Sequence, residues 1–345
     1  MRNMLRVLST IVIAILSLQT VQAQNGGFAG SANRIGFGPK AMGIGNAMTA
    51  TTSQGSFAHY NPALAALKQD FTQVQLGVSS LQFDRVHQTL GTSFQLPPSA
   101  GLAFDLIRSG VNNIDGRTAS GYSTGEFETS EYQLLAAFGM RMSDKLKAGI
   151  GFKLNYAKLH EELKSSTSLG IDIGLLYHIS EFVNFGFTIQ DMLSEYSFNS
   201  SELYGLDQAR NVVNKFPTRI KWGLAYQTDV FTLSGDYEIQ VFNSEINTEE
   251  TFLNSGIPQS FESVAEISTN TQQFRIGGAW NAHERFTLRA GYNLPDISQS
   301  SSWGLSTGFS LNLPFDKFSP SIDYAFVVEP NRVATIHVFA LSLHL

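Results

Sequence analysis

The sequence contains no cysteine. Disulfides are excluded, and so is lipid attachment at an N-terminal cysteine. Charge is also scarce. Asp, Glu, Lys and Arg make up 15% of the chain and the net charge is −6, which argues against a nucleic-acid partner. Beyond Leu18 no apolar run is long enough to cross a bilayer as a helix. The seven histidines are scattered, and none pairs with another histidine or a carboxylate at metal-ligand spacing. No G-x-S-x-G nucleophile elbow occurs. The residues therefore nominate no catalytic site, metal or cofactor.

What the chain does contain is alternation. About fourteen segments from Phe71 to Leu345 alternate apolar and polar residues. The gaps between them alternate too. Pro97-Pro98, Ser143-Asp144, Ser180-Glu181, Thr228-Asp229, residues 281–284 and residues 314–316 are tight. Residues 110–125, 191–216 and 243–271 are long and polar. Short turns at one end and long loops at the other are the pattern of an all-β, 14-stranded antiparallel transmembrane β-barrel. The mean hydropathy of −0.04 suits such a barrel, in which only alternate residues meet lipid. A secreted β-sandwich also alternates. The even strand count, the one-sided loops and the aromatics at the ends of apolar faces (Tyr156, Tyr177, Trp222, Tyr226, Trp280, Tyr292, Trp303) favour the barrel.

The first residues carry Arg2 and Arg6, a short apolar run from Leu8 to Leu18, and Val21-Gln22-Ala23. This pattern predicts a signal peptide over 1–23, with the mature chain starting at Gln24 and outer-membrane localisation in a Gram-negative cell. Residues 24–69 do not alternate, and they form an expected plug ahead of a barrel over 70–345.

Two faces are legible within the strands. Leu146, Ala148, Ile150, Phe152, Leu154 and Tyr156 alternate with Lys147, Gly149, Gly151, Lys153 and Asn155. If the apolar face meets lipid, the lumen receives Lys147, Lys153, Asp172, Arg219, Lys221, Asp236, Glu238, Arg275 and Arg289. Mixed signs inside a confined space predict pairing, with Lys221 or Arg219 opposite Asp236 or Glu238 and Arg275 near Arg289. Many other inward positions are glycine, which leaves room for the N-terminal segment.

That segment holds Gly43-x-Gly45, which permits close backbone packing, and Asn61-Pro62-Ala63, which reads as a turn or helix start. The stretch from Lys40 to Leu67 resembles the start of the PorV/PorQ family of Bacteroidota-type outer-membrane proteins, relatives of the FadL long-chain fatty-acid transporters. The resemblance continues through Gly151-Phe152-Lys153, Asp172-Ile173-Gly174-Leu175, Phe216-Pro217-Thr218, Arg289-Ala290-Gly291-Tyr292 and the closing residues from His337. Lys40, Ser53-Gln54 and the non-aromatic terminus Leu345 depart from it.

The resemblance implies a fourteen-stranded barrel with an N-terminal plug and a role alongside the type IX secretion system. Partners would be outer-membrane lipid and secretion proteins or exported substrate domains. The alternative it implies is a FadL-like passive transporter of hydrophobic small molecules such as long-chain fatty acids. Met192, Leu193, Tyr196, Phe198, Leu203, Tyr204, Leu206, Phe252, Leu253 and Phe261 in the long loops would serve as a protein-binding surface or a pocket wall, or simply pack over the barrel mouth.

The alternation predicts a topology that can be tested directly, since no native cysteine gives background. Cysteine placed at Ser120 or Ser244 should react with a membrane-impermeant reagent on intact cells, and cysteine at His283 should not. Labelling of His283→Cys from outside would reverse the orientation.

Overall fold

The computed structural model describes residues 29–345 except 56, 70–71, 162, 200–210, 255–256, 298–302, 314–318 and 331–333, and the side chains of 199, 211–212, 244–254 and 257–267 lie outside the description. The expected signal segment and Tyr204 fall outside it, as do the side chains of Phe252 and Phe261.

Among the described residues, sixteen strands follow three short helical turns. They are β1 (Gln73–Leu81), β2 (Arg85–Leu96), β3 (Ala100–Arg117), β4 (Ser123–Arg141), β5 (Leu146–Lys158), β6 (Ser166–His178), β7 (Val183–Met192) and β8 (Glu195–Asn199). They continue as β9 (Asn211–Lys215), β10 (Thr218–Gln227), β11 (Phe231–Asn254), β12 (Ile257–His283), β13 (Phe286–Leu294), β14 (Gly304–Asn312), β15 (Ser321–Val328) and β16 (Thr335–His344). Fourteen of them close into one antiparallel barrel, and β8 and β9 form a separate two-stranded sheet between β7 and β10. Closure comes from β1 on β16, with Gln73 opposite His344 and Leu81 opposite Ile336. A closed barrel leaves no strand edge unpaired, the condition for a sheet to cross lipid.

Side chains sort by parity. On β10, Leu224 and Tyr226 are exposed while Arg219, Lys221, Gly223 and Ala225 are buried. Leu76, Val78, Phe152, Leu233, Phe339 and Leu341 project from the same outer surface, each about half exposed. Near the short turns this belt ends in Tyr177, Phe182, Tyr226, Phe231 and Trp280, all exposed. The Tyr226 ring lies 6.2 Å from Phe182 and 5.7 Å from Phe231. Aromatics at this level are what a membrane interface selects.

Two of the expected loops are instead strand. β3 and β4 continue pairing out to Arg117 opposite Ser123, and β11 and β12 pair without interruption to Asn254 opposite Ile257. Residues 110–125 and 243–271 are polar because these ribbons extend past the apolar belt, not because they lack order in their backbone. The third, 191–216, contains the β8–β9 sheet.

Residues 29–69 run along the inside of the barrel. Ala29 packs with Tyr196, Phe198 and Phe216 at the long-loop end, and Lys68 lines a recess at the short-turn end. Between them lie a 3-10 turn at Ala32–Arg34, the helix α1 (Gly38–Met42) and a second 3-10 turn at Pro62–Ala66. Pro39 is the second residue of α1, and Pro62 starts the second turn, where its fixed backbone angle suits a helical first position.

The exposed face predicts sensitivity to charge. Leu224→Arg should cost about 2–4 kcal/mol of folding free energy in bilayers if Leu224 sits near the lipid midplane. Urea unfolding in vesicles measures it. A loss below about 1 kcal/mol would place Leu224 at the interface.

Candidate functional site: a divided lumen

The inner face carries the charges that its alternation predicts, and six of the nine, Lys153, Asp172, Arg219, Lys221, Glu238 and Arg275, are in ion pairs. Lys153 Nζ lies 2.8 Å from Asp172 and 2.5 Å from Asp191. Arg219 Nε donates to Asp191 at 2.6 Å. Across β10 and β11, Lys221 faces Glu238 at 3.8 Å, and Arg275 on β12 donates to the same carboxylate at 2.6 Å. All these side chains are buried or nearly so. A charge at such a site persists only when a partner compensates its lost hydration.

Asp191 is the residue that sequence reasoning missed, having been placed at the start of a loop. A register shift opposite Asp172 puts both Gln190 and Asp191 inside, and Asp191 has a left-handed backbone, φ 60°. Its N–H donates to Asp172 at 2.8 Å. A bulge breaks the two-residue period, so alternation could not have found it. Two other expected lumen residues lie elsewhere. Lys147 bonds His178 near the short-turn rim, away from this network. Arg275 sits opposite Asn293, and Arg289 is further along β13, bonded to Gln54 at 2.7 Å and Ser310 at 2.7 Å.

The same inner face grips residues 29–69. Asp236 accepts from Thr49 N at 3.0 Å and from Thr49 Oγ1 at 2.7 Å. Asp105 accepts from His59 N at 2.9 Å, and Gln190 donates to His59 O at 2.8 Å. Asn61 performs the role its motif suggests. Its Oδ1 accepts from Ala63 N at 3.0 Å and caps the second 3-10 turn, while its Nδ2 donates to Thr49 O and to Leu175 O on β6. Lys40 on α1 reaches Asp323 at 3.7 Å, and Ser310, Ser321 and Ser342 also donate to that carboxylate. Burial lowers Arg34 to about 10 and also pushes His59 and Lys40 down, with Asp323 opposing the shift at Lys40.

Backbone contact needs the inward glycines. A Cβ at Gly149 would overlap Pro62 and Ala63, and one at Gly277 or Gly291 would overlap Ile44. Gly45 takes φ +68°, a conformation open to glycine, and packs against Tyr292 backbone. Gly43 instead has an ordinary helical φ of −64°, and a Cβ there would stand 3.0 Å from Pro39 O and 3.3 Å from Arg289 Cβ.

Residues 29–69 divide the lumen. At the long-loop end a cavity of about 490 Å³ lies between Arg34, Ile35, Met42, Arg275, Asn293 and Ile336. At the short-turn end a second recess of about 630 Å³ is lined by Lys40, Gln54, Lys68, Asn281, Arg289 and His344. α1 contributes Met42 to the first and Lys40 to the second. Of the loop residues singled out in the sequence, Tyr196 and Phe198 are buried against Phe216 and Ala157, whereas Leu193 is 80% exposed. The two aromatics therefore pack over the mouth and are not available to an incoming protein.

No family model and no curated protein matches the sequence. Solved structures of similar fold do match. The toluene transporter TbuX of Ralstonia pickettii superposes with a TM-score of 0.61 at 14% identity, covering 90% of this chain and 98% of that one. The CymD monoaromatic hydrocarbon channel gives 0.60 at 15% identity, covering 91% and 97%. A FadL homologue of Pseudomonas aeruginosa gives 0.56 at 12% identity, covering 89% and 97%. The fold is FadL-like. Those neighbours are channels and transporters rather than enzymes. The PorV/PorQ side of the resemblance has no match behind it and rests on its motifs alone.

The buried network predicts a large penalty for removing its centre. Asp191→Ala leaves Lys153 and Arg219 short of a carboxylate, and should cost about 3–5 kcal/mol in urea unfolding from vesicles. Lys147→Ala, outside the network, should cost much less. Equal effects would mean that the charges are solvated rather than locked together.

Proposed function

We propose that this chain is an outer-membrane channel for small hydrophobic molecules, plugged by residues 29–69. The observation that carries it is the divided lumen. A part-apolar cavity opens toward the long loops, a polar recess opens toward the short turns, and a buried segment stands between them. A permanently open pore would need no such segment, and a structural barrel would need neither cavity. The likeness in fold to hydrocarbon channels supports the same direction. In the topology of outer-membrane barrels the long loops face outward and the short turns face the periplasm, so the first cavity would meet the solute first.

The secretion-partner role draws less support. It depends on an apolar surface in the outer loops. Two of its aromatic candidates are buried, and Leu193 is the most exposed apolar residue left there among the described ones.

Passage requires the plug to move. Removing residues 27–55 should leave a heat-resistant barrel whose permeability to small hydrophilic solutes rises sharply in proteoliposome swelling. The intact protein should exclude those solutes while speeding entry of a hydrocarbon such as toluene. Unchanged swelling after the deletion would rule out the plug. No acceleration of toluene entry by the intact protein would rule out the channel.

A further inference from the structure

Two buried cations line the short-turn recess, Lys40 on α1 and Arg289 on β13, each 7% exposed. Arg289 Nε and Nη1 donate to neutral oxygens, Gln54 Oε1 and Ser310 Oγ, each at 2.7 Å. Its Nη2 donates to no described residue, and no described carboxylate is in ion-pair contact with the guanidinium. Lys40 Nζ stands 3.7 Å from Asp323, beyond hydrogen-bond length. Neither Nη2 nor Nζ is sealed off, and each keeps accessible surface in the recess. The two cations are neighbours. Gly43 follows Lys40 by one turn, and a Cβ there would stand 3.3 Å from Arg289 Cβ. Ser310 accepts from Arg289 Nη1 and donates to Asp323, the carboxylate that Lys40 faces. Lys40 also lies in the field of Arg289.

One carboxylate does not balance both. Asp323 is fully buried and already accepts from Ser310, Ser321 and Ser342. The buried wall is therefore left with one positive charge in excess. The other formal charges of the lining, Lys68, Asp229 and Glu284, are exposed on the rim, where water hydrates and screens them. The rest of the wall is polar, with Gln54, Gln73, Asn281, Thr287 and Asn312.

We propose that the short-turn recess binds a small polar monocarboxylate, such as a hydroxy acid, with Arg289 Nη2 donating to the carboxylate and Lys40 adding its charge. The site is separate from the long-loop cavity and goes beyond the channel function. A carboxylate supplies both the acceptor that Nη2 lacks and the one negative charge that the wall lacks. A neutral isostere supplies the acceptor without the charge. A dianion brings more charge than the wall can match. An apolar acid would dry the side-chain amides of the wall and leave them unpaired. Lys40 belongs to the partition and Arg289 to the barrel, so the bound anion ties one to the other.

Lactate, lactamide and sulfate separate these cases. Their binding to the full barrel, with its N-terminal segment, is measured in phosphatidylcholine nanodiscs by saturation-transfer NMR in chloride-free buffer, with empty nanodiscs subtracted. Lactate should bind about tenfold more tightly than lactamide or sulfate at neutral pH. Arg289→Gln should weaken lactate by about tenfold, whereas Lys68→Gln on the rim should change it by less than about twofold. Lactamide or sulfate binding as tightly as lactate overturns the proposal, and this wild-type ranking does not depend on any variant folding. Lactate binding that Arg289→Gln leaves unchanged, or that Lys68→Gln abolishes, overturns it as well. Absence of lactate binding removes the site and leaves the channel, which toluene entry tests separately.

Discussion

An ion inside a closed barrel has to be matched by what the barrel itself supplies. Lipid surrounds the outer face and the inner face is packed, so hydration cannot do it. In this chain the match is made by Asp191 and Glu238. Each carboxylate takes two cations from different strands: Lys153 on β5 and Arg219 on β10 for Asp191, and Lys221 on β10 and Arg275 on β12 for Glu238. These pairs link strands from β5 to β12, six of the fourteen in the barrel. Two further inner carboxylates, Asp236 and Asp105, accept from the backbone of residues 29–69. The N-terminal segment is therefore held by acceptors on the same inner face that carries the ion network.

The glycines complete this arrangement. A segment of backbone can lie against a strand only where no side chain intervenes, and Gly149, Gly186, Gly277 and Gly291 clear that space. Where the segment does not touch the wall, a cavity remains. The two cavities are thus the parts of the lumen that the segment leaves unfilled, and α1 is the partition between them. Lys40 on Asp323 and Gln54 on Arg289 hold that partition to β13 and β15. Met42 adds apolar packing against Ala325, Ile336 and Val338, so the partition is held by both kinds of contact.

Much of this was legible in the sequence, because a strand assigns faces by parity. Lys153, Asp172, Arg219 and Glu238 fall inside on that ground alone; parity sets Lys221 or Arg219 opposite Asp236 or Glu238, and the register selects Lys221 with Glu238. Asn61 was recognised from its position before Pro62. Three things were not legible, each for a physical reason. Asp191 sits at a bulge, where parity fails. The ribbons of β3–β4 and β11–β12 leave the membrane, lose their apolar face and so resemble loops. The long-loop cavity is bounded by Arg34 to Asn46 on one side and by Arg275 to Ile336 on the other, a juxtaposition that only the closed barrel creates.

The account turns on whether the partition must move for a solute to pass. Gly43 lies beside β13, where a Cβ would stand 3.3 Å from Arg289 Cβ. That separation is close to what a disulfide spans, and the chain has no other cysteine to compete. Solute flux through proteoliposomes carrying Gly43→Cys with Arg289→Cys can be followed before and after reduction. Flux that is blocked while the disulfide is intact and restored by reductant is the predicted result. Undiminished flux through the verified disulfide form would show that solutes pass without moving α1, and would contradict the account.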